Sequence, residues 1–162
     1  MKSNRLKTIA SLIDQNSSVI DIGTDHGYLP IFLVKEGITT KVMATDVSRN
    51  ALNAAKQNII HAGLEDVIMT QVADGFQGID TVYDVGVLAG MGTETMKQIL
   101  QAENLPKTLI LQSNNDLEVL RLFMNQFGWK IAKEVAVLDN GKYYVVIKYI
   151  EGKEILSEEQ VL

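Results

Sequence analysis

Five short, largely apolar runs are each followed by a helical pattern or a turn, and two further extended runs close the chain around Asn140-Gly141. No other feature constrains the fold as tightly. The five runs, "SVIDIG", "KVMATD", "VIMTQV", "DVGVLAG" and "TLILQ", predict buried strands in a mostly parallel sheet with helices on its faces. Ser3 predicts the cap of a first helix, with Leu6, Ile9, Ala10 and Ile13 on its apolar face. Pro30 fits the first turn of the next helix, where an N–H has no partner in any case. Ser48 predicts another cap, with Leu52, Ala55 and Ile59 facing inward and Gly63 just past the end. "ETMKQIL" and "LEVLRLFMNQF", the latter stopped by Gly128, supply two more helices. The closing runs "KIAKEVAVL" and "YYVVIKYI" flank Asp139-Asn140-Gly141-Lys142, and Asn-Gly is a strong two-residue hairpin signal.

A parallel α/β sheet that ends in an antiparallel hairpin is the layout expected of Rossmann-like, seven-stranded methyltransferases. At 162 residues the chain fits one domain, expected over residues 1–152. Ser157-Glu158-Glu159-Gln160 has the form of a capping box. It suggests that residues 153–162 begin a helical C-terminal extension that is largely absent; a frayed polar tail is the alternative. No apolar run is long enough to span a bilayer, and the N-terminus lacks the apolar centre of a signal peptide, so a cytoplasmic location off the membrane is expected. Without cysteine, disulfides and thiolate metal sites are excluded. Two distant histidines and scattered acids predict no metal site. A net charge of −5 is not the footprint of a general nucleic-acid binder. Lys2, Arg5 and Lys7 form a local basic candidate, with a solvated helix end as the other reading.

The loop after the first strand, "GTDHG" at residues 23–27, carries the chemistry. A dinucleotide loop of the form G-x-G-x-x-G brings backbone close to a pyrophosphate. Here Asp25 stands between Gly23 and Gly27, and a carboxylate aimed at a diphosphate is repulsive. S-adenosylmethionine has no phosphate and carries two positive groups, so it favours acids at the strand ends. Asp21, Asp25, Asp46 and Asp74 supply them. Asp46 ends the second strand, where an acid accepts both ribose hydroxyls. Asp74, followed by Gly75, is placed to accept the adenine amino group. Asp21 orients the loop or reaches the methionine end. For any one of these acids, a turn-forming or capping role stands as the alternative.

With "RL" at 5–6, "DIGTDHGYLP" at 21–30, "AGMG" at 89–92, "LILQ" at 109–112 and the closing "DNGKYYVVI", the chain resembles the bacterial TrmK family. These are tRNA methyltransferases acting on N1 of adenosine 22. The resemblance covers most of the chain. It implies a Rossmann-like domain, S-adenosyl-L-methionine as methyl donor, tRNA as substrate, and a helical C-terminal part. Two positions depart from the family pattern: Thr93 follows Gly92 where a glycine is usual, and Ser113 follows Gln112 where a proline is usual.

On this reading Asp25 is the candidate catalytic acid, stabilising positive charge that arrives on the ring; capping of the helix that begins near Tyr28 is the alternative. Arg5, the second candidate catalytic residue, matches the family's N-terminal arginine, as an RNA-phosphate or active-site contact; a surface salt bridge is the alternative. The expected cofactor site holds Asp21, Gly23, Thr24, His26, Gly27 and Tyr28 from the first loop. Asp46 and Val47 follow the second strand, Asp74 and Gly75 the third, and Ala89, Gly90 and Met91 the fourth. Tyr28 can stack on a base or pack in the core. Tyr143 and Tyr144 are expected to pack or to edge the sheet. A monomer or weak homo-oligomer is expected. Rival readings are a methyltransferase of another RNA or small molecule, a non-catalytic S-adenosylmethionine- or RNA-binding module, and a nicotinamide-dependent oxidoreductase.

Overall fold

The strand positions follow a strict parity, and that parity builds the layers. Ile20, Ile22, Leu88, Leu109, Leu111, Ile147 and Tyr149 share one buried cluster. Their alternates Val19, Val85, Val87, Ile110 and Val146 share another on the opposite face. A computed structural model describes residues 3–154, 156 and 158–161. In it, seven strands form one sheet: β1 (Val19–Ile22), β2 (Val42–Asp46), β3 (Ile68–Val72), β4 (Val85–Met91), β5 (Thr108–Ser113), β6 (Trp129–Asp139) and β7 (Lys142–Glu151). The spatial order is β3-β2-β1-β4-β5-β7-β6. β1 to β5 run parallel, and β7 is antiparallel to both β5 and β6. The expected α/β class and terminal hairpin are both present.

Helices α1 (Asn4–Ser11) and α2 (Tyr28–Lys35) contribute Leu6, Ile9, Leu29 and Leu33 to the second cluster. Helix α3 (Arg49–His61) packs Ile59 with Val42, Ala44 and Ile68. On the other face, α4 (Thr93–Ile99) and α5 (Leu117–Gln126) bring Met96, Leu120, Phe123 and Met124 to the first cluster. Each fully buried Leu, Ile or Met contributes about 1.5–3 kcal/mol of burial free energy. The caps form as the side chains predict: Ser3 Oγ accepts from Leu6 N at 3.2 Å and Ser48 Oγ from Ala51 N at 3.2 Å. Helix α1 stops at Ser11, so Ile13 is buried beyond its end rather than on its face. Asn140 and Gly141 both take positive φ, 52° and 78°, as a two-residue hairpin turn requires.

A short helix α6 (Glu158–Val161) follows β7. Ser157, the capping residue expected to start it, and Lys2 of the basic candidate lie outside the described residues. No helix among the described residues is long and apolar enough to cross a membrane.

Because β1 has β2 on one side and β4 on the other, the strand order reverses at β1. In open α/β sheets the crevice beyond the strand ends at such a point is where ligands bind. The 23–27 loop leaves β1 there.

Candidate active site

Two cavities adjoin at the carboxyl ends of the strands, and Gly23 lines both. One, of about 510 Å³, is lined by Val47, Asp74, Gly75, Phe76, Gln77 and Met91 among others. The second, of about 440 Å³, is lined by Arg5, Asp21, Thr24, Asp25, His26 and Tyr28, with Ala89, Gly90, Asn114, Lys142 and Tyr144. We call them the Asp74 cavity and the Asp25 cavity. Gly23 has φ +72°, and a Cβ there would come within 3.3 Å of the methyl of Met91, which lines the Asp74 cavity. Gly27 (φ +74°) is not in either wall; a Cβ there would meet Ala55 of α3 at 3.2 Å. Its role is to let α2 and α3 close together behind the loop.

Asp25 itself adopts φ +56°, a conformation rarely held by residues other than glycine, asparagine and aspartate. Its backbone N–H donates to Asp46 Oδ2 at 3.0 Å. Its carboxylate is 68% exposed and lies 3.6 Å from His26 Nε2. The imidazole stacks on the Tyr28 ring at 5.3 Å between centroids. From behind, the Asn58 amide of α3 donates to the His26 carbonyl at 2.9 Å. Helix α2 is capped by the left-handed Gly27 with no side-chain hydrogen bond, so Asp25 does not serve as its cap. Tyr28 is 39% exposed on the cavity wall, and the core-packing alternative fails.

Asp46 is nearly buried. Its Oδ2 takes the Asp25 N–H and its Oδ1 takes the Ser48 N–H at 2.9 Å, so it pins the loop to β2 and α3. Each oxygen keeps a lone pair for a ligand. Asp21 is buried, accepts from Thr24 Oγ1 at 2.8 Å, and its carboxyl is pushed up to about 7, chiefly by desolvation and further by the nearby Asp46 charge. A cationic ligand in this crevice opposes both causes.

Strand β4 is bulged between Ala89 and Met91, with Gly90 at φ +77°. The bulge has an organiser that sequence reading did not reveal. Gln112 of β5 is fully buried, and its Oε1 accepts from both Gly90 N–H and Arg5 Nη1, each at 3.0 Å. Its Nε2 donates to Asn114 Oδ1 at 3.2 Å. The Arg5 guanidinium also lies over the Tyr144 ring, 4.9 Å from its centroid. Tyr144 therefore belongs to the cavity wall as well as to the sheet. No spacing links residues 5, 90, 112 and 144; only strand order unites them.

The two family departures turn out to be one unit. Thr93 Oγ1 lies 2.7 Å from Ser113 Oγ and donates to the Asn115 carbonyl at 2.7 Å, while Thr93 N–H donates to Asn115 Oδ1 at 3.0 Å. Thr93 is completely buried, so the pair ties α4 to the end of β5 and presents no group to either cavity. Among the described residues there is no group of three His, Asp or Glu able to hold a metal ion.

Comparison with known proteins agrees with this fold. Residues 2–147 match the family model described as "Methyltransferase domain". A Mycoplasma pneumoniae protein provisionally named a tRNA methyltransferase is 34% identical over 98% of this chain and 77% of its own length. The Mycoplasma capricolum TrmK structure, solved with S-adenosyl-homocysteine, superposes with a TM-score of 0.90 at 30% identity, over 99% of this chain and 74% of that one. The chain belongs to the TrmK family of tRNA methyltransferases. A Bacillus subtilis relative named tRNA (adenine(22)-N(1))-methyltransferase is 30% identical over 90% of this chain, which spans 63% of that protein. For a TrmK-family chain, the adjoining cavities and the acids around them are the natural place to look for chemistry.

Proposed function

We propose that the chain transfers a methyl group from S-adenosylmethionine to N1 of adenosine 22 in tRNA, acting in the cytoplasm where tRNA is held. The observation that carries this reading is the loop Asp25: a left-handed residue whose carboxylate lines one of two cavities meeting at Gly23. The residues present fit the cofactor. The strand ends offer carboxylates and no phosphate cradle, which suits a ligand that is positive rather than anionic. Asp74 and Val47 in the Asp74 cavity suit the adenosine half, and Asp21, Thr24 and Gly23 the methionine half; Asp46 lines neither cavity but lies behind the loop with a lone pair left on each oxygen for the ribose.

When bound, S-adenosylmethionine supplies a methyl group on a sulfonium, which becomes a neutral thioether once the N1 lone pair has taken the methyl. The residues of the chain have three tasks. The walls of the Asp25 cavity hold the base in line, converting an encounter into an oriented approach. No base catalyst is needed, because adenine N1 carries no proton. The Asp25 carboxylate, 68% exposed in the free chain, stabilises the positive charge that arrives on the ring, and gains in effect as the seated base displaces water from it. Arg5 cannot share that task, since a guanidinium next to a forming cation is repulsive.

The test is methylation of unmodified tRNA by the purified chain, with the product nucleoside identified by mass spectrometry. The reading expects 1-methyladenosine from the wild type, and from Asp25→Ala cofactor binding within a few-fold of wild type but turnover lower by roughly two orders of magnitude. Full turnover by Asp25→Ala contradicts the role given to the acid. A different methylated nucleoside contradicts the reaction.

A further inference from the structure

Beside the Asp25 cavity, two cations share one aromatic ring. Arg5 Cζ lies 4.9 Å and Lys142 Nζ 5.6 Å from the centroid of Tyr144. Among the described residues neither cation has a carboxylate within ion-pairing distance. Asp139, near the start of α1, is engaged by Ser3 Oγ at 2.8 Å and Asn4 N–H at 3.2 Å. Asp139 offsets part of their charge: the Ser3 hydroxyl chiefly, and Arg5 among other groups, hold its carboxyl below the usual range. One carboxylate beside two cations leaves positive charge for a further anion.

Their placement is also fixed. Gln112 holds Arg5 through its Oε1 at 3.0 Å, and Gly90 N–H holds Gln112 in turn. Lys142 is the first residue after the Asn140-Gly141 turn, so the hairpin sets its position. A guanidinium held in this way loses less freedom on binding than a mobile side chain, and the exposed Lys142 ammonium reaches the same ring from a fixed point on the backbone.

We infer that Arg5 and Lys142, both beside the Tyr144 ring, form a seat for a backbone phosphate of the RNA next to the methylated nucleotide. The inference rests on the function proposed above and names how this domain grips its substrate. Asn114, Lys142 and Tyr144 line both the Asp25 cavity and an adjoining cleft of about 220 Å³, whose rim carries Tyr143, 74% exposed. The seat thus stands where a strand leaves the base cavity. Phosphate contacts of this kind position RNA without reading its sequence. A rival anion of the same chemistry is the carboxylate of the cofactor's methionine end.

The experiment compares wild type, Lys142→Gln and a control on α3, Lys56→Gln, for tRNA affinity across a salt series and for S-adenosylmethionine affinity. Lys142 is exposed, so its variant keeps the fold. Loss of one phosphate contact is expected to weaken tRNA binding roughly five-fold at low salt and to reduce the slope of log K against log salt by about 0.7–0.9. Cofactor affinity and the control stay at wild-type values. An unchanged salt slope in Lys142→Gln overturns the seat, as does a loss that appears in cofactor affinity instead, which assigns the anion to the cofactor. Formation of 1-methyladenosine by the wild type is scored separately, so the seat can fail while the methyl transfer stands. Absence of tRNA binding by the wild type overturns both.

Discussion

Replacing Asp21 by asparagine removes an ionisable group from the crevice and keeps an oxygen to accept from Thr24 Oγ1, now at 2.8 Å. The native carboxyl is pushed from its ordinary 3.8 to about 7, first by burial and then by Asp46, with the Thr24 hydrogen bond opposing both. Below the unfolded value both states hold the proton and no penalty exists. As pH rises from there, the unfolded chain releases the proton while the native chain retains it, so wild-type stability falls by about 1.4 kcal/mol per pH unit. The loss ends near pH 7, where the native carboxyl also ionises, and accumulates to roughly 4 kcal/mol. Asparagine does not titrate. The stability difference between Asp21→Asn and wild type is therefore small near pH 4, widens towards about pH 7 and is flat above it. Urea denaturation of both proteins, without cofactor, across that range measures it. A constant difference at every pH refutes the burial argument. The same variant is expected to bind S-adenosylmethionine less tightly above neutral pH, a cost in function for a gain in stability.

Three further expectations concern the groups that support the site. Gln112→Leu leaves the Gly90 N–H and the Arg5 guanidinium without their shared acceptor and is expected to cost about 1–3 kcal/mol in stability. It should lower turnover on tRNA more than cofactor affinity, and Gln112→Glu, which keeps the acceptor oxygen but loses the donor to Asn114, should recover part of the loss. Gly27→Ala combines a left-handed backbone with a 3.2 Å approach to Ala55, and thermal denaturation should show roughly 1–3 kcal/mol of destabilisation. Glu134→Ala strands the buried Arg121 guanidinium, which Glu134 pairs and whose pKa that hydrogen bond raises, and is expected to cost roughly 2 kcal/mol in a denaturant titration.

The elements of the fold were legible because each is written locally. Ser3 and Ser48 cap, Gly63 and Gly128 stop, and Asn140-Gly141 turns, all through interactions within a few residues. The acids at the strand ends were legible too, since a strand's carboxyl end marks its own place in an α/β sheet. What escaped was everything that depends on strand order in space. Gln112 meets Arg5 across 107 positions, and nothing in either local sequence announces it. Asp46 reads as a ligand acid but spends one lone pair of each oxygen on backbone N–H groups: the Ser48 bond is local, whereas the Asp25 bond exists only because β1 and β2 are neighbours. Thr93 and Ser113 read as two separate departures and are one hydrogen-bonded pair between β5 and α4. Tyr28 begins a helix with an apolar composition, yet the left-handed Gly27 turns its ring outward onto His26.

The most direct test of the account uses two tRNA transcripts identical except at nucleotide 22, adenosine in one and guanosine in the other. Each is incubated with the chain and S-adenosylmethionine, then digested and mapped by mass spectrometry. The account predicts one methyl group, on N1 of adenosine 22, and no product from the guanosine transcript. Equal methylation of both transcripts, or a methyl group on the exocyclic amine, would contradict it.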